Sequence, residues 1–150
     1  MYSWTPKKIM LVGSNPSTKA LSRIAFSPCT KSGRLVEQWL APFEKLISSR
    51  VNMNVYDKPT ENNRPLNAEE IKSGCNNLQN AIKIFEPDVI VAFGKTAARA
   101  LTLLGIEHYE MPHPSGLNRQ LNDPRYIEEK LKGLEALLRP IPSVRASENT

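Results

Sequence analysis

The chain has 150 residues, 40% hydrophobic and 23% charged, with a formal net charge of +5. That length suits one domain with its own core, and no apolar run approaches a membrane span. The opening MYSWTPKKIMLVG lacks a signal-peptide layout, and two cysteines, Cys29 and Cys75, are too few to hold a zinc or iron–sulfur site, so the expectation is a cytoplasmic protein with unpaired thiols and no metal or cofactor.

In chain order, KKIMLVG (7–13) is a short apolar run ending in Gly and reads as a buried strand. Residues 14–33 are polar, rich in Ser, Thr and Pro, and read as a long loop. From Leu35 the pattern turns helical, with Leu35, Val36, Trp39, Leu40, Phe43, Leu46 and Ile47 on one face. VNMNVY (51–56) alternates with the period of a strand, and DKPTENNRPL reads as an exposed loop. Asn67 followed by Glu70 is a capping-box start, and Ile71, Cys75, Leu78, Ile82 and Phe85 continue that helix on one stripe up to Pro87.

DVIVAFG (88–94) is the clearest buried strand, and KTAARALTLLG is a short helix ended by Gly105. EHYEM reads as a fourth strand, with His108 inside it as a structural residue. HPSGLNR (113–119) must be a loop, because Pro114 and Gly116 oppose regular structure. Asp123–Pro124 is an N-cap and first-turn pair for a last helix through about Leu138, and RPIPSVRASENT is read as a loose tail. The expected organisation is one domain over 1–139 and a tail over 140–150.

Alternating strands and helices imply an α/β fold, a three-layer α/β/α sandwich around a four-stranded parallel sheet. Right-handed crossovers bring the loops after Gly13, Tyr56, Gly94 and Met111 to one sheet edge, where open α/β sheets bind ligands. Charge points to the same loops. No Asp or Glu precedes Glu37, whereas Lys7, Lys8, Lys19, Arg23, Lys31 and Arg34 do, and Met111–Asn122 is acid-free and carries Arg119. Brought together, these segments form an anion-attracting face.

GSNPS (13–17) and HPSGLNR (113–119) resemble the two active-site motifs of the uracil-DNA glycosylase superfamily. The first is similar to the Gly-x-Asn-Pro-Gly motif of its mismatch-specific and single-strand-selective branches, and the second to a His-Pro-Ser loop that grips the DNA minor groove. NVYDKPTENNRP and DVIVAFGKTAARAL resemble segments of the bacterial iron–sulfur branch, whose four cysteines this chain does not have. Ser17 stands where the usual motif has Gly. The resemblance covers about residues 8–138, with the motifs in order.

The resemblance implies DNA as partner, no cofactor and a monomeric enzyme that flips a base and hydrolyses its bond to deoxyribose. Asn15 would orient the attacking water, and His113 would donate a hydrogen bond to the departing base. Gly13 belongs to the base-binding set. Asn54 would pair with uracil's O4 and N3–H; alternation puts Asn52 on the same side, so only the resemblance favours Asn54, and Asn63 is a loop alternative. Phe26 is either a stacking platform for the base or a loop aromatic tucked under the sheet edge. Ser17 occupies the place where the strictest uracil enzymes set a tyrosine against C5. Leu117 would wedge into the base stack, and Ser115, Arg119, Lys19 and Lys31 would hold phosphates. A non-catalytic DNA-binding protein on the same fold is the rival reading. A phosphate-loop enzyme is a poorer one, since neither Gly-rich nucleotide pattern occurs.

Overall fold

Lys7–Gly13 form β1, whose Ile9, Met10, Leu11 and Val12 are completely buried. The computed structural model describes residues 6–15, 25–26, 30–61, 64–114 and 119–139. The expected tail, 140–150, lies outside the described residues. β1 pairs in parallel with β2 (Ile47–Asn54) on one side and β3 (Val89–Phe93) on the other, and β4 (Tyr109–Met111) extends the sheet beyond β3. The strand order is β2-β1-β3-β4.

Burial on both faces of the central strands sets the layers. Ile9, Leu11, Val89, Val91 and Phe93 pack with α1 (Lys31–Leu40) and α4 (Pro124–Leu138). Met10, Val12, Ile90 and Ala92 pack with α2 (Ala68–Phe85) and α3 (Lys95–Leu103). The α/β/α architecture expected from the sequence therefore holds. The chain leaves β1 towards β2, then crosses back over β1 to reach β3. That reversal places the topological switch between β1 and β3.

Helix ends follow local chemistry. Asn67 and Glu70 form the full capping box at α2, and Asp123 caps α4 ahead of Pro124. α1 begins four residues before Leu35, because the Thr30 side chain accepts from Gly33 N at 2.9 Å. Its first turn is mostly polar and gives no apolar period. The helix stops at Leu40, and Ala41–Leu46 continue as a 3-10 turn with Pro42 at its start. Ile47, expected on the helix, instead opens β2.

β2 is an edge strand, and its exposed Ser48 and Ser49 hide the alternation that would have revealed its start. It ends at Asn54 rather than Tyr56. β4 is shorter than EHYEM, and His108 lies just before it, with Nδ1 2.9 Å from the Ile106 carbonyl oxygen. The segment read as an exposed loop after β2 buries Thr60 and Leu66.

α2 crosses very close to the exit of β2. A Cβ on Gly74 would lie 1.7 Å from the Val55 carbonyl oxygen. Around Gly105, where φ is +69°, nothing lies within 4 Å. The expected outcome is that Gly74→Ala destabilises by about 3 kcal/mol, the upper end of overpacking costs. Gly105→Ala should cost only the left-handed backbone penalty, about 1–2 kcal/mol. Denaturant midpoints of the two variants check the order.

Candidate active site

The switch-point edge is assembled first by backbone. Val55 N donates to Gly13 O at 2.8 Å and Tyr56 N to Ser14 O at 2.9 Å. The exits of β1 and β2 therefore run side by side two residues past the strand, and Asn54 sits opposite Gly13. Asn15, two residues beyond Gly13, is half-buried. Its Nδ2 donates to the Lys58 carbonyl at 3.2 Å, and its Oδ1 accepts from Ser14 Oγ at 3.1 Å. Only the NH₂ end can bond a carbonyl, so the amide has one orientation. Ser14 uses one Oδ1 lone pair and leaves the second for a water.

The loop that supplies the Lys58 carbonyl is tied down further along. Thr60 Oγ1 donates to Arg64 O at 2.5 Å, and Arg64 grips Glu70 through two bonds of 2.7 and 3.0 Å. The Arg64 guanidinium, then the Asn67 backbone N–H, hold the Glu70 carboxyl below its ordinary range. The capping box of α2 thus also anchors the loop beside Asn15.

Phe26 meets the same edge from the first loop. A Cβ on Gly13 would lie 2.8 Å from Phe26 Cζ and 3.0 Å from Asn54 Oδ1, so Gly13, Phe26 and Asn54 converge at one point. Phe26 is 9% exposed and packs edge-on against Phe93, with centroids 4.9 Å apart. Its φ of 56° is left-handed, at a cost of roughly 1–2 kcal/mol for a residue with a Cβ. Strain of this kind is kept where surrounding contacts over-determine it. Asn52, the alternative to Asn54, points to the same side but is engaged elsewhere, donating to the Ala25 carbonyl at 3.0 Å.

His113 arrives from β4. It packs on Gly94, where a Cβ would lie 3.2 Å from both His113 Cβ and Cδ2. Gly94, at φ +94°, follows β3, and its N–H donates to Met111 O at 2.9 Å. Two strand spacings, roughly 10 Å, separate the ends of β1 and β4. The imidazole packs on Gly94 at the end of β3, the strand that lies between them. His113 is exposed by area, yet burial still pulls its pKa below the ordinary 6.5. The two facts fit a ring open to solvent on one side and walled by protein on the other. At neutral pH it is the uncharged form, with one N–H to donate.

Lys31 opens α1 at this edge and is exposed, and Arg119 opens a 3-10 turn, Arg119–Asn122, rather than continuing the loop. Ser17, Lys19, Ser115 and Leu117, and Asn63, lie outside the described residues. Asp57 and Glu61 follow β2 onto the same edge, so its charge is mixed rather than purely basic. Among the described residues no group of three or more His, Cys, Asp and Glu is placed to hold a metal ion.

Sequence reasoning missed Gly94, Ser14 and the Lys58 carbonyl. Gly94 had a signal, a glycine between a buried strand and a helix. The carbonyl had none, because every residue has one.

The family described as the Uracil DNA glycosylase superfamily matches residues 3–135. No curated protein matches the chain. The match spans both motif loops and all four strands, and the chain belongs to this superfamily. Membership carries DNA glycosylase chemistry in general, with DNA as the partner.

The folded-state pKa is depressed, so His113 contributes stability that is present above pH 6.5 and lost as pH falls through the folded value. With only two histidines in the chain, an NMR titration of the His108→Gln variant should show His113 titrating below 6.5. Gly94→Ala, which crowds the ring, should alter that titration.

Proposed function

We propose that the protein is a monofunctional, monomeric glycosylase that flips uracil, or a 5-substituted uracil, out of DNA and hydrolyses its N-glycosidic bond. One observation carries this reading. Asn15, the cluster of Gly13, Phe26 and Asn54, and His113 all gather at the β1/β3 switch-point edge of a glycosylase-superfamily fold.

Breaking the bond leaves an oxocarbenium-like sugar and an anionic base. Asn15 Oδ1 accepts from a water and orients its oxygen towards the sugar carbon. An amide is a feeble base, so it works by position, and the oriented water delivers its proton to solvent as the bond to the base breaks. His113, neutral, donates its N–H to the base oxygen on which charge accumulates. The Asn54 amide pairs with O4 and N3–H of uracil, and cytosine presents the reverse pattern at those atoms. Phe26 stacks on the extruded base. Leu117 fills the vacated place in the stack, and Ser115, Arg119, Lys19 and Lys31 hold phosphates. These steps draw on side chains alone. A cytoplasmic location fits DNA as substrate.

A uracil-containing oligonucleotide, incubated with the protein in chelator and then treated with alkali, should break at the uracil. Asn15→Ala should lose turnover by about 10²-fold or more while binding DNA nearly as well, since water positioning acts at the transition state. His113→Ala should lose about 10²-fold. An intact strand with the wild type, or cleavage only with added divalent metal, contradicts the reading.

Specificity at C5 follows from residue 17. Serine is too small to exclude a methyl or hydroxymethyl group. Single-turnover rates on 5-hydroxymethyluracil should therefore fall within about tenfold of those on uracil. Ser17→Tyr should suppress the substituted base more than uracil itself.

A further inference from the structure

Asn52 lies one pleat below Asn54 on the same face of β2, since their partners across β1 are Leu11 and Gly13. Its Nδ2 reaches out of the sheet to the carbonyl of Ala25, 3.0 Å away and 27 residues earlier in the chain. The residue after Ala25 is Phe26, held at φ 56° with its ring against Phe93 and the Gly13 backbone. Asn52 Oδ1 is buried and has no hydrogen-bond partner among the described residues. A buried acceptor without a donor is costly. A leucine, of similar volume, would carry no such penalty. Among the described residues, the amide's one bond in return is the one to Ala25.

We infer that Asn52 is a positioning residue: its amide locks the Ala25–Phe26 turn in the left-handed conformation and so sets the aromatic wall of the base site. The inference rests on Phe26 facing the base as proposed above. A backbone released from Asn52 relaxes to negative φ, which any residue with a Cβ prefers. That rotation redirects the bond from Cα to Cβ and swings the ring away from Gly13 and Phe93. Asn52 touches no substrate in this scheme. It acts on the base through Phe26.

The test separates the turn from the chemistry. The chain has four phenylalanines, so 4-fluorophenylalanine labelling gives a small set of fluorine signals, with Phe26 identified by Phe26→Leu. In Asn52→Leu the Phe26 signal should move or broaden while those of Phe43 and Phe85 stay in place. On a uracil-containing single strand, KM should rise about tenfold and kcat should change by less than about threefold, the pattern of lost uniform binding.

Asn52→Asp is the second variant, usable if the leucine protein fails to fold. Its carboxylate repels the Ala25 carbonyl, whereas its protonated form donates to it. Arg50, two residues back on the same face, is already paired with Glu37. His113 titrates in both proteins, so the readout is the ratio of Asn52→Asp to wild-type activity. That ratio should recover as pH falls from about 8 towards 5, where a buried carboxyl regains its proton. A purely structural role would change melting without this recovery.

An unmoved Phe26 signal in Asn52→Leu overturns the inference, as does a moved signal with KM unchanged. If the wild type does not act on uracil-containing DNA, the proposed function fails, and the fluorine signals still decide whether Asn52 holds the turn.

Discussion

Everything in this molecule depends on β1 and β3 having no exposed face. Ile9 to Val12 are completely buried, and Val89 to Phe93 nearly so. A parallel strand buried on both sides needs a helical layer above and another below. The chain supplies them only by reversing direction at β1. That reversal opens the crevice between the ends of β1 and β3, and no polar side chain can sit within the buried runs of those two strands without being stranded. Backbone hydrogen bonding and topology thus oblige the chemistry to collect at one edge.

At that edge, missing Cβ atoms set the distances. Gly13 is the last residue of β1 and Gly94 the first after β3. One admits the Phe26 ring and the Asn54 amide, the other the His113 ring. Gly74 does the same at longer range, letting α2 lie against Val55 just past Asn54. Three glycines, on β1, on α2 and just after β3, therefore fix how closely the β1, β2 and β4 exits can crowd together. The close fit also explains how a left-handed Phe26 persists. Its ring is held by Phe93 and the Gly13 backbone, and its turn by Asn52.

The strongly periodic elements were legible from residues alone. β1, α2, β3, α3 and α4 lie where their apolar spacing and caps put them. α1 and β2 were shifted because their first turns face water and their residues carry no period there. The site divides in the same way. Asn15, His113, Asn54 and Phe26 were singled out through the resemblance of the segments that carry them, and the fold brings those segments to one edge. Gly94 and the Lys58 carbonyl escaped, since what they contribute is a space and a backbone oxygen, and neither has a residue type of its own. Asn52 was visible but ambiguous. Two asparagines on one strand face look alike in sequence, and the structure separates them: Asn52 bonds the Ala25 carbonyl, whereas Asn54 lies beside Gly13.

That carbonyl-reading habit bears on why an amide, rather than a carboxylate, stands at position 15. As a base a carboxylate is far stronger. Yet Asn15 is held at both ends, donating to Lys58 O and accepting from Ser14 Oγ. A carboxylate keeps the second bond and turns the first into a contact between two acceptors. The loop that presents the Lys58 carbonyl cannot easily retreat, because Thr60 and the Arg64–Glu70 pair fasten it to the start of α2. The neighbourhood of residue 15 is therefore built around an NH₂ group. Under the proposed chemistry the same holds at His113, whose surroundings favour the uncharged ring. Both groups are neutral; Asn15 is aimed by its two hydrogen bonds, and His113 is packed on Gly94. Under the proposed function such a site would lower the barrier by holding weak dipoles in place before the bond breaks, and not by bringing strong charges to it.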